Sequence, residues 1–163
     1  MTAVLVIAAG IVASLIDVRS RRVPNLLTGP LAVTGVGLAA AGLGVVDAGA
    51  AVLGCVVGLI VMLPLHIVGG TGAGDVKLVA ALGTLLGPVG ILNAIVRMGI
   101  AGGVIALGVA VRRGSLRRTL SGTALLVARA DGAAAAIEHP AMNNRFPYAP
   151  AIAIGAALVA LGW

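Results

Sequence analysis

The chain has 163 residues, of which 60% are hydrophobic and only 10% are charged, and its mean hydropathy is +1.17. A soluble domain usually carries about a quarter charged residues, so this composition indicates an integral membrane protein and excludes an ordinary soluble one. The net charge of +6 comes from basic residues in short loops between apolar runs, so it predicts membrane orientation and not a nucleic-acid partner.

Apolar runs divide the chain into about six predicted transmembrane helices, since a bilayer core needs roughly 20 residues of helix. The expected spans are residues 2–17, 26–46, 48–68, 75–94, 98–111 and 148–163. The first run has no basic region before it and no small-residue cleavage site after it, so we interpret it as a span and not as a signal peptide. We therefore expect an all-α, polytopic integral membrane protein, with residues 1–163 forming a single membrane-embedded domain.

Polar segments mark the predicted breaks between these spans. Pro24 disfavours helical geometry in the residue before it, which predicts a turn after the first span. Glycine-rich residues 69–74 predict a flexible loop before the fourth span, and Arg97 is expected to separate the fourth span from the fifth. Residues 112–145 form the longest polar region, within which residues 119–138 match an amphipathic helix on the membrane surface.

The basic residues predict the orientation of the bundle. Six spans place both termini on one side of the membrane, and Arg97 falls on that side. All other basic residues fall on the opposite side, which the positive-inside rule makes cytoplasmic, so both termini are expected outside. These residues are Arg19, Arg21, Arg22, Lys77, Arg112, Arg113, Arg117, Arg118, Arg129 and Arg145.

Two of the five acidic residues adjoin apolar spans. Asp17 ends the first span and Asp75 opens the fourth, whereas the other three acidic residues lie in predicted loops. A charge within a span costs about 2.5 kcal/mol or more unless it faces a polar cavity or a partner, so these two aspartates are candidate functional residues. The alternative explanation is structural, with Arg19 or Lys77 acting as a simple counter-ion.

Span counting places Asp17 and Asp75 at similar depth near the predicted cytoplasmic face, although 58 positions separate them in the sequence. Two carboxylates that share a site cannot both ionise comfortably, so the pair is expected to hold one proton and to titrate as a unit. Such a pair can activate a water molecule while protonating the leaving group of a peptide bond. The arrangement therefore suits an aspartyl peptidase.

The glycines before Asp75 suit the same chemistry. Gly72 and Gly74 permit backbone torsions that other residues avoid, and they place no side chain beside the carboxylate. An extended substrate is then expected to approach Asp75 by pairing with the loop backbone. The alternative is a plain flexible loop, which a Gly-x-Gly pattern alone does not exclude.

No metal or cofactor site is expected. His66 and His139 have no second ligand at metal spacing, so packing or loop roles are expected for both. Cys55 lies inside an apolar run, which indicates a small buried hydrophobic residue. The sequence shows no Ser/His pairing of the kind that a serine protease needs.

Three segments resemble motifs of the bacterial prepilin peptidases, which are GxGD-type aspartyl proteases. Residues 17–25 (Asp-Val-Arg-Ser-Arg-Arg-Val-Pro-Asn) resemble the first aspartate motif of that family, and residues 72–77 (Gly-Ala-Gly-Asp-Val-Lys) resemble the second. Residues 147–153 (Pro-Tyr-Ala-Pro-Ala-Ile-Ala) resemble the motif that enters the last helix. The three segments lie in the expected order, and the similarity in layout spans essentially the whole chain.

The resemblance implies that Asp17 and Asp75 are the catalytic pair. Family members cleave the short basic leader of type IV pilin-like precursors at the cytoplasmic membrane surface, just before the hydrophobic stem. The implied protein is thus a peptidase of the bacterial inner membrane whose partners are a prepilin and the lipid bilayer, with no cofactor and no nucleic acid. Other motif residues are expected to support the catalytic loop or the approach of substrate: Gly72, Gly74, Lys77, Arg19, Pro24 and Asn25.

One departure from the family narrows the expected activity. Bifunctional members carry a cytoplasmic insert with paired cysteines and also N-methylate the new pilin terminus. This chain begins directly with a span and has a single cysteine. It resembles the short form associated with Tad/Flp-type pilus systems, so we expect peptidase activity without methylation.

Two other classes of function are alternatives to a peptidase. A small transporter or channel would use the two carboxylates as a proton or cation relay. Internal repeats and acids at the membrane midplane would favour it, but no convincing repeat is visible and both aspartates adjoin one face. A non-catalytic subunit of a secretion machine is the third class, and the intact aspartates and glycine loop argue against it.

Overall fold

The computed structural model describes residues 1–20, 23–67, 71–112 and 148–162, and every regular element in them is an α-helix. The helices are α1 (Thr2–Ser20), α2 (Asn25–Ala40), α3 (Ala48–Ile67), α4 (Ala73–Arg112) and α5 (Ala149–Ala160). The all-α prediction is confirmed for these residues. The predicted surface helix at residues 119–138, and the arginines other than Arg19, Arg97 and Arg112, lie outside the described residues.

Three helices are long and apolar enough to cross a membrane, judged by length and composition. They are Thr2–Ser20, Ala48–Ile67 and the stretch Ala73–Gly108 of α4, while α2 and α5 are apolar but shorter. This set of helices suits a membrane protein, as the composition predicted. Six separate spans are not shown by these helices, so the span count stays a prediction.

Helix α4 contradicts the predicted break at Arg97. The backbone is helical through Arg97, and the interruption occurs at Gly87, where φ is 71° and ψ is −179°. Glycine adopts this conformation readily, whereas other residues are strained in it. Pro88 follows, and a proline suits the first turn of a helix because its missing N–H needs no partner there. Arg97 therefore lies within a helix and not in an outer loop.

The two parts of α4 lie side by side. Val79 and Leu82 from residues 73–86 line a cavity of about 10 Å³ together with Ala94 and Met98 from residues 88–112. In one continuous helix Val79 and Met98 would be roughly 28 Å apart, at about 1.5 Å of rise per residue. The chain direction therefore reverses at Gly87, and we refer to residues 73–86 and 88–112 as the first and second parts of α4.

The first part of α4 is the centre of the molecule, because residues 78–85 are all buried. Small residues allow the neighbouring helices to approach it closely, as is typical of helices that pack in lipid. Gly54 of α3 faces Gly83, and a Cβ atom on either glycine would overlap the backbone of the other. Gly35 of α2 faces the Thr84 side chain in the same way.

These contacts fix the direction of each helix and place several helix ends at one end of the bundle. α3 runs antiparallel to the first part of α4, since Gly58 lies against Val79 while Gly54 lies nearer to Gly87. α5 is antiparallel to the second part of α4 and also to α1, whose Gly10 lies against Ala153. The last turn of α1 and the first turns of α2, α4 and α5 therefore share one end.

Candidate active site

Asp75 lies in the first turn of α4, at the shared end of the bundle, and is buried with 8% of its surface exposed. Its Oδ2 atom accepts a hydrogen bond of 3.1 Å from the Gly72 N–H. The Gly72 carbonyl in turn accepts the N–H groups of Asp75 and Val76 at 3.0 and 3.3 Å. A side chain that reaches back to the residue before its helix is one half of a capping box, and it fixes the carboxylate at the positive end of the helix dipole.

Asp17 lies in the last turn of α1 and is 6% exposed. Its Oδ2 atom accepts a hydrogen bond of 3.2 Å from the Ala149 N–H, across 132 positions of sequence. Ala149 is the first residue of α5, so its N–H has no acceptor within the helix. Asp17 therefore also lies at a helix N-terminus, although that helix comes from the other end of the chain.

The two aspartates lie at the same end of the folded bundle. Asp17 is buried in the last turn of α1, and Asp75 is buried in the first turn of α4. Within the described residues each carboxylate accepts one backbone hydrogen bond, through Oδ2. Both predicted aspartates thus lie at one end of the bundle, and among the described residues only Oδ2 of each carboxylate accepts a hydrogen bond.

Four of the predicted supporting residues lie at the same end of the bundle as the two aspartates. Lys77 Nζ donates a hydrogen bond of 2.9 Å to Asn25 Oδ1, and both side chains are exposed. Pro24 is the residue before α2, with φ −73° and ψ 147°, and its carbonyl accepts the Leu27 N–H at 3.0 Å. The hydrogen bond of Lys77 is thus made to an amide oxygen and not to the Asp75 carboxylate. Arg19 is exposed near the end of α1.

Comparison with protein families supplies the identification. A model of the type IV leader peptidase family matches residues 4–107, which is more than half of the chain and includes both aspartates. The chain belongs to the type IV leader peptidase family. This membership confirms the resemblance to prepilin peptidases and implies a hydrolase of peptide bonds. Comparison with curated proteins and with solved structures finds no match.

Family membership also bears on the substrate and the cellular location of this protein. Its members act on prepilins in a membrane, so membership implies a prepilin substrate and a membrane environment. The three long apolar helices agree with that environment. Together they support a leader peptidase-like protease of the inner membrane.

The structure contradicts one part of the prediction for Gly72 and Gly74, which is their use of special backbone torsions. Neither Gly72 nor Gly74 has a positive φ, so neither uses the torsions that only glycine tolerates. Gly74 lies inside the first turn of α4, where a Cβ atom would lie 3.0 Å from the backbone nitrogen and oxygen of Val23. Gly74 therefore permits close packing of α4 against Val23, in the segment before α2. Gly72 contributes its N–H to Asp75.

Several contacts of the peptidase site were not predicted from the sequence. The Ala149 N–H is one, although the resemblance at residues 147–153 had marked the start of the last helix. Another joins the end of α3 to the glycine segment, where His66 Nδ1 lies 2.9 Å from the Thr71 carbonyl oxygen. Each of these contacts has a backbone group as one partner, and residue types in a sequence do not show where backbone groups will lie. Neither contact could therefore be predicted from the motifs.

Metal binding finds no support among the residues that the structure describes. No group of three His, Cys, Asp or Glu side chains in those residues is placed to hold a metal ion.

Proposed function

We propose that this family member is an aspartyl endopeptidase that removes the short basic leader of type IV, Flp-like prepilins. Asp17 and Asp75 are the catalytic residues in this proposal. The observation that carries it is the pairing of two buried carboxylates, from motifs 58 positions apart, at one end of the bundle. The family match supports a peptidase, and the two carboxylates offer the acid and base that such a reaction needs.

The proposed reaction divides the work between the two carboxylates. One carboxylate takes a proton from a water molecule, whose oxygen attacks the carbonyl carbon of the peptide bond. The other carboxyl group gives its proton to the departing nitrogen, so that a carboxylic acid terminus and a free amine are released. Each aspartate is held through Oδ2 by a backbone N–H, and no described residue donates a hydrogen bond to Oδ1 of either carboxylate, so the proposal assigns Oδ1 to water or substrate.

The site is proposed to face the cytoplasm. Arg19 and Lys77 are exposed at the end of the bundle that carries the aspartates, and the second part of α4 runs to Arg112 in that direction. Positive charge concentrates on the cytoplasmic side of membrane proteins, so this distribution supports that orientation. The hydrophobic stem of the prepilin would then remain in the bilayer while the leader reaches the aspartates from the cytoplasm.

Leader removal tests the proposal directly. A Flp-like prepilin is co-expressed with the wild-type peptidase, Asp17→Asn or Asp75→Asn, and processing is followed as a mobility shift on a gel. Each substitution is expected to abolish processing while the protein still inserts into the membrane, because an amide can neither accept nor donate the proton as a carboxylic acid does. Full processing by either variant would sink the assignment of the pair.

Asp47→Asn provides a matched control at the opposite end of α3. Asp47 Oδ1 accepts the Ala50 N–H at 2.8 Å, and an asparagine at this position keeps the same oxygen and caps a helix equally well. Processing by this variant should equal that of the wild type. Ion flux in vesicles without any prepilin cleavage would instead favour a proton or cation relay.

A further inference from the structure

The helices that carry the two aspartates make little direct contact. α1 packs mainly against α5, and α5 in turn packs against α4. α5 packs closely on the second part of α4, where a Cβ atom on Gly155 would lie 2.7 Å from the Met98 nitrogen, and its Ile152 also lines a cavity with Val79 of the first part. α5 therefore lies between α1 and α4 and separates the helix of Asp17 from the helix of Asp75.

The start of α5 has a single amide available for Asp17. Tyr148 precedes the helix and makes no side-chain hydrogen bond to it. Pro150, the second helical residue, has no N–H group. The N–H groups of Ala151 and Ile152 both point to the Tyr148 carbonyl, at 3.1 Å each. The Ala149 N–H is thus the one donor of this turn that remains for an acceptor outside the helix.

Asp17 takes the place of the missing capping residue. The bond from the Ala149 N–H is made between two buried groups, since Ala149 is 0% exposed and Asp17 is 6% exposed. The spacing between α1 and α5 is set at Gly10, seven residues before Asp17. A Cβ atom on Gly10 would lie 2.9 Å from the Ala153 Cβ atom. The close contact of Gly10 with Ala153 and the hydrogen bond from the Ala149 N–H therefore involve the same face of α5.

We propose that α5 positions Asp17 for catalysis, through the Ala149 N–H and through the close contact of Gly10 with Ala153. The inference rests on the proposed catalytic role of Asp17. It extends the active site beyond residues 4–107, the part of the chain that matches the family. Ala149 is a positioning residue in this account, because it touches Asp17 and not the substrate.

Replacing the Ala149 amide by an ester tests the first contact. Incorporation of lactic acid at position 149 removes the N–H and keeps the methyl side chain. We expect kcat for leader cleavage to fall at least about tenfold with KM unchanged, because the contact orients a reacting group and does not bind substrate. The folded fraction of the protein should remain that of the wild type.

The same ester at position 157 is the matched control. The Ala157 amide lies inside α5, where an amide bonds to the carbonyl four residues earlier, so this ester weakens the helix without touching Asp17. We expect wild-type kcat from this variant. Wild-type kcat from the ester at 149, or an equal loss from both esters, would overturn the inference. Neither result would affect the proposed function, which depends on the separate Asp17→Asn result.

A second experiment measures the spacing itself and does not depend on activity. Asp17→Cys and Asp75→Cys are combined in a Cys55→Ala background, and the yield with a short bifunctional thiol reagent is recorded. Adding Gly10→Leu should reduce the yield, because the new side chain pushes α1 away from α5. Gly37→Leu, where no atom lies within 4 Å of an added Cβ, should not. An unchanged yield with Gly10→Leu would show that α5 does not set the spacing.

Discussion

Lys77 Nζ donates a hydrogen bond of 2.9 Å to Asn25 Oδ1 and thereby joins the fifth residue of α4 to the first residue of α2. The two residues belong to the two aspartate motifs and lie 52 positions apart. The bond ties the segment that follows Asp17 to the helix that carries Asp75. Because both side chains are exposed, the bond contributes to the alignment of the motifs and not to the buried core.

Lys77→Met should lower prepilin processing by roughly fivefold, since a hydrogen bond of this kind contributes about 1 kcal/mol. The measurement is the initial rate of cleavage in membranes containing equal amounts of peptidase. Lys77→Arg keeps a donor at this position and should retain most of the rate. A loss as complete as that of Asp75→Asn would mean instead that Lys77 takes part in the chemistry.

Gly74→Ala should impair processing more strongly than the small size of the added methyl group suggests. The added Cβ atom would lie 3.0 Å from backbone atoms of Val23, so α4 and the segment before α2 must move apart. Overpacking of this kind costs about 1–3 kcal/mol, and the shift occurs one residue from Asp75. Ala73→Ser, at the exposed neighbouring position, is the control and should process at the wild-type rate. Equal rates for the two variants would contradict the packing role of Gly74.

Gly83→Ala should lower the thermal stability of the protein in detergent. Gly83 and Gly54 form a backbone-to-backbone contact between α4 and α3, so a methyl group on either has no room. The free energy of unfolding is expected to fall by about 1–3 kcal/mol, which is measured as a fall in Tm. Gly37→Ala adds the same methyl group in open space and should be neutral, or stabilising by up to about 1 kcal/mol through its better helix propensity. A similar Tm for both variants would argue against close packing at Gly83.

Gly87→Ala should destabilise the reversal within α4 for two reasons. A residue other than glycine at φ 71° and ψ −179° costs about 1–3 kcal/mol, and the Cβ atom would also lie 2.9 Å from Val46 Cγ1. The free energy of unfolding should therefore fall, which denaturant titration in mixed micelles measures. Gly42→Ala also has a positive φ, of 70°, but meets no atom within 4 Å, so its loss should be smaller. A larger loss at Gly42 than at Gly87 would be inconsistent with this account.

The reversal at Gly87 also explains why one boundary was predicted wrongly. A charge inside an apolar run was interpreted as a break, so Arg97 was expected to end the fourth span. A long basic side chain can extend its charged end outward from within a helix, and Arg97 is only partly buried there. The dipeptide of Gly87 and Pro88 was the informative signal, because glycine permits the required torsions and proline begins the next helix.

Other boundaries followed from local rules and were close. Pro24 was predicted to interrupt the helix, and α2 begins at the next residue. The third span was predicted to begin at residue 48, and α3 begins there, immediately after Asp47. By contrast, α2 ends at Ala40, six residues before the predicted limit, and Gly42 adopts a positive φ just beyond that end. The apolar composition continues through residues 41–46, so it did not predict that α2 ends at Ala40.

The sequence by itself determined the class of protein, its helical construction and the two aspartates at one end of it. These follow from composition, from the apolar runs and from motifs, all of which are local properties of the chain. Only the tertiary structure decided that Gly74 serves packing, that Lys77 binds Asn25, and that Asp17 accepts the Ala149 N–H. The physical reason is that such contacts join backbone or exposed groups far apart in the chain, and their partners exist only after the helices have packed.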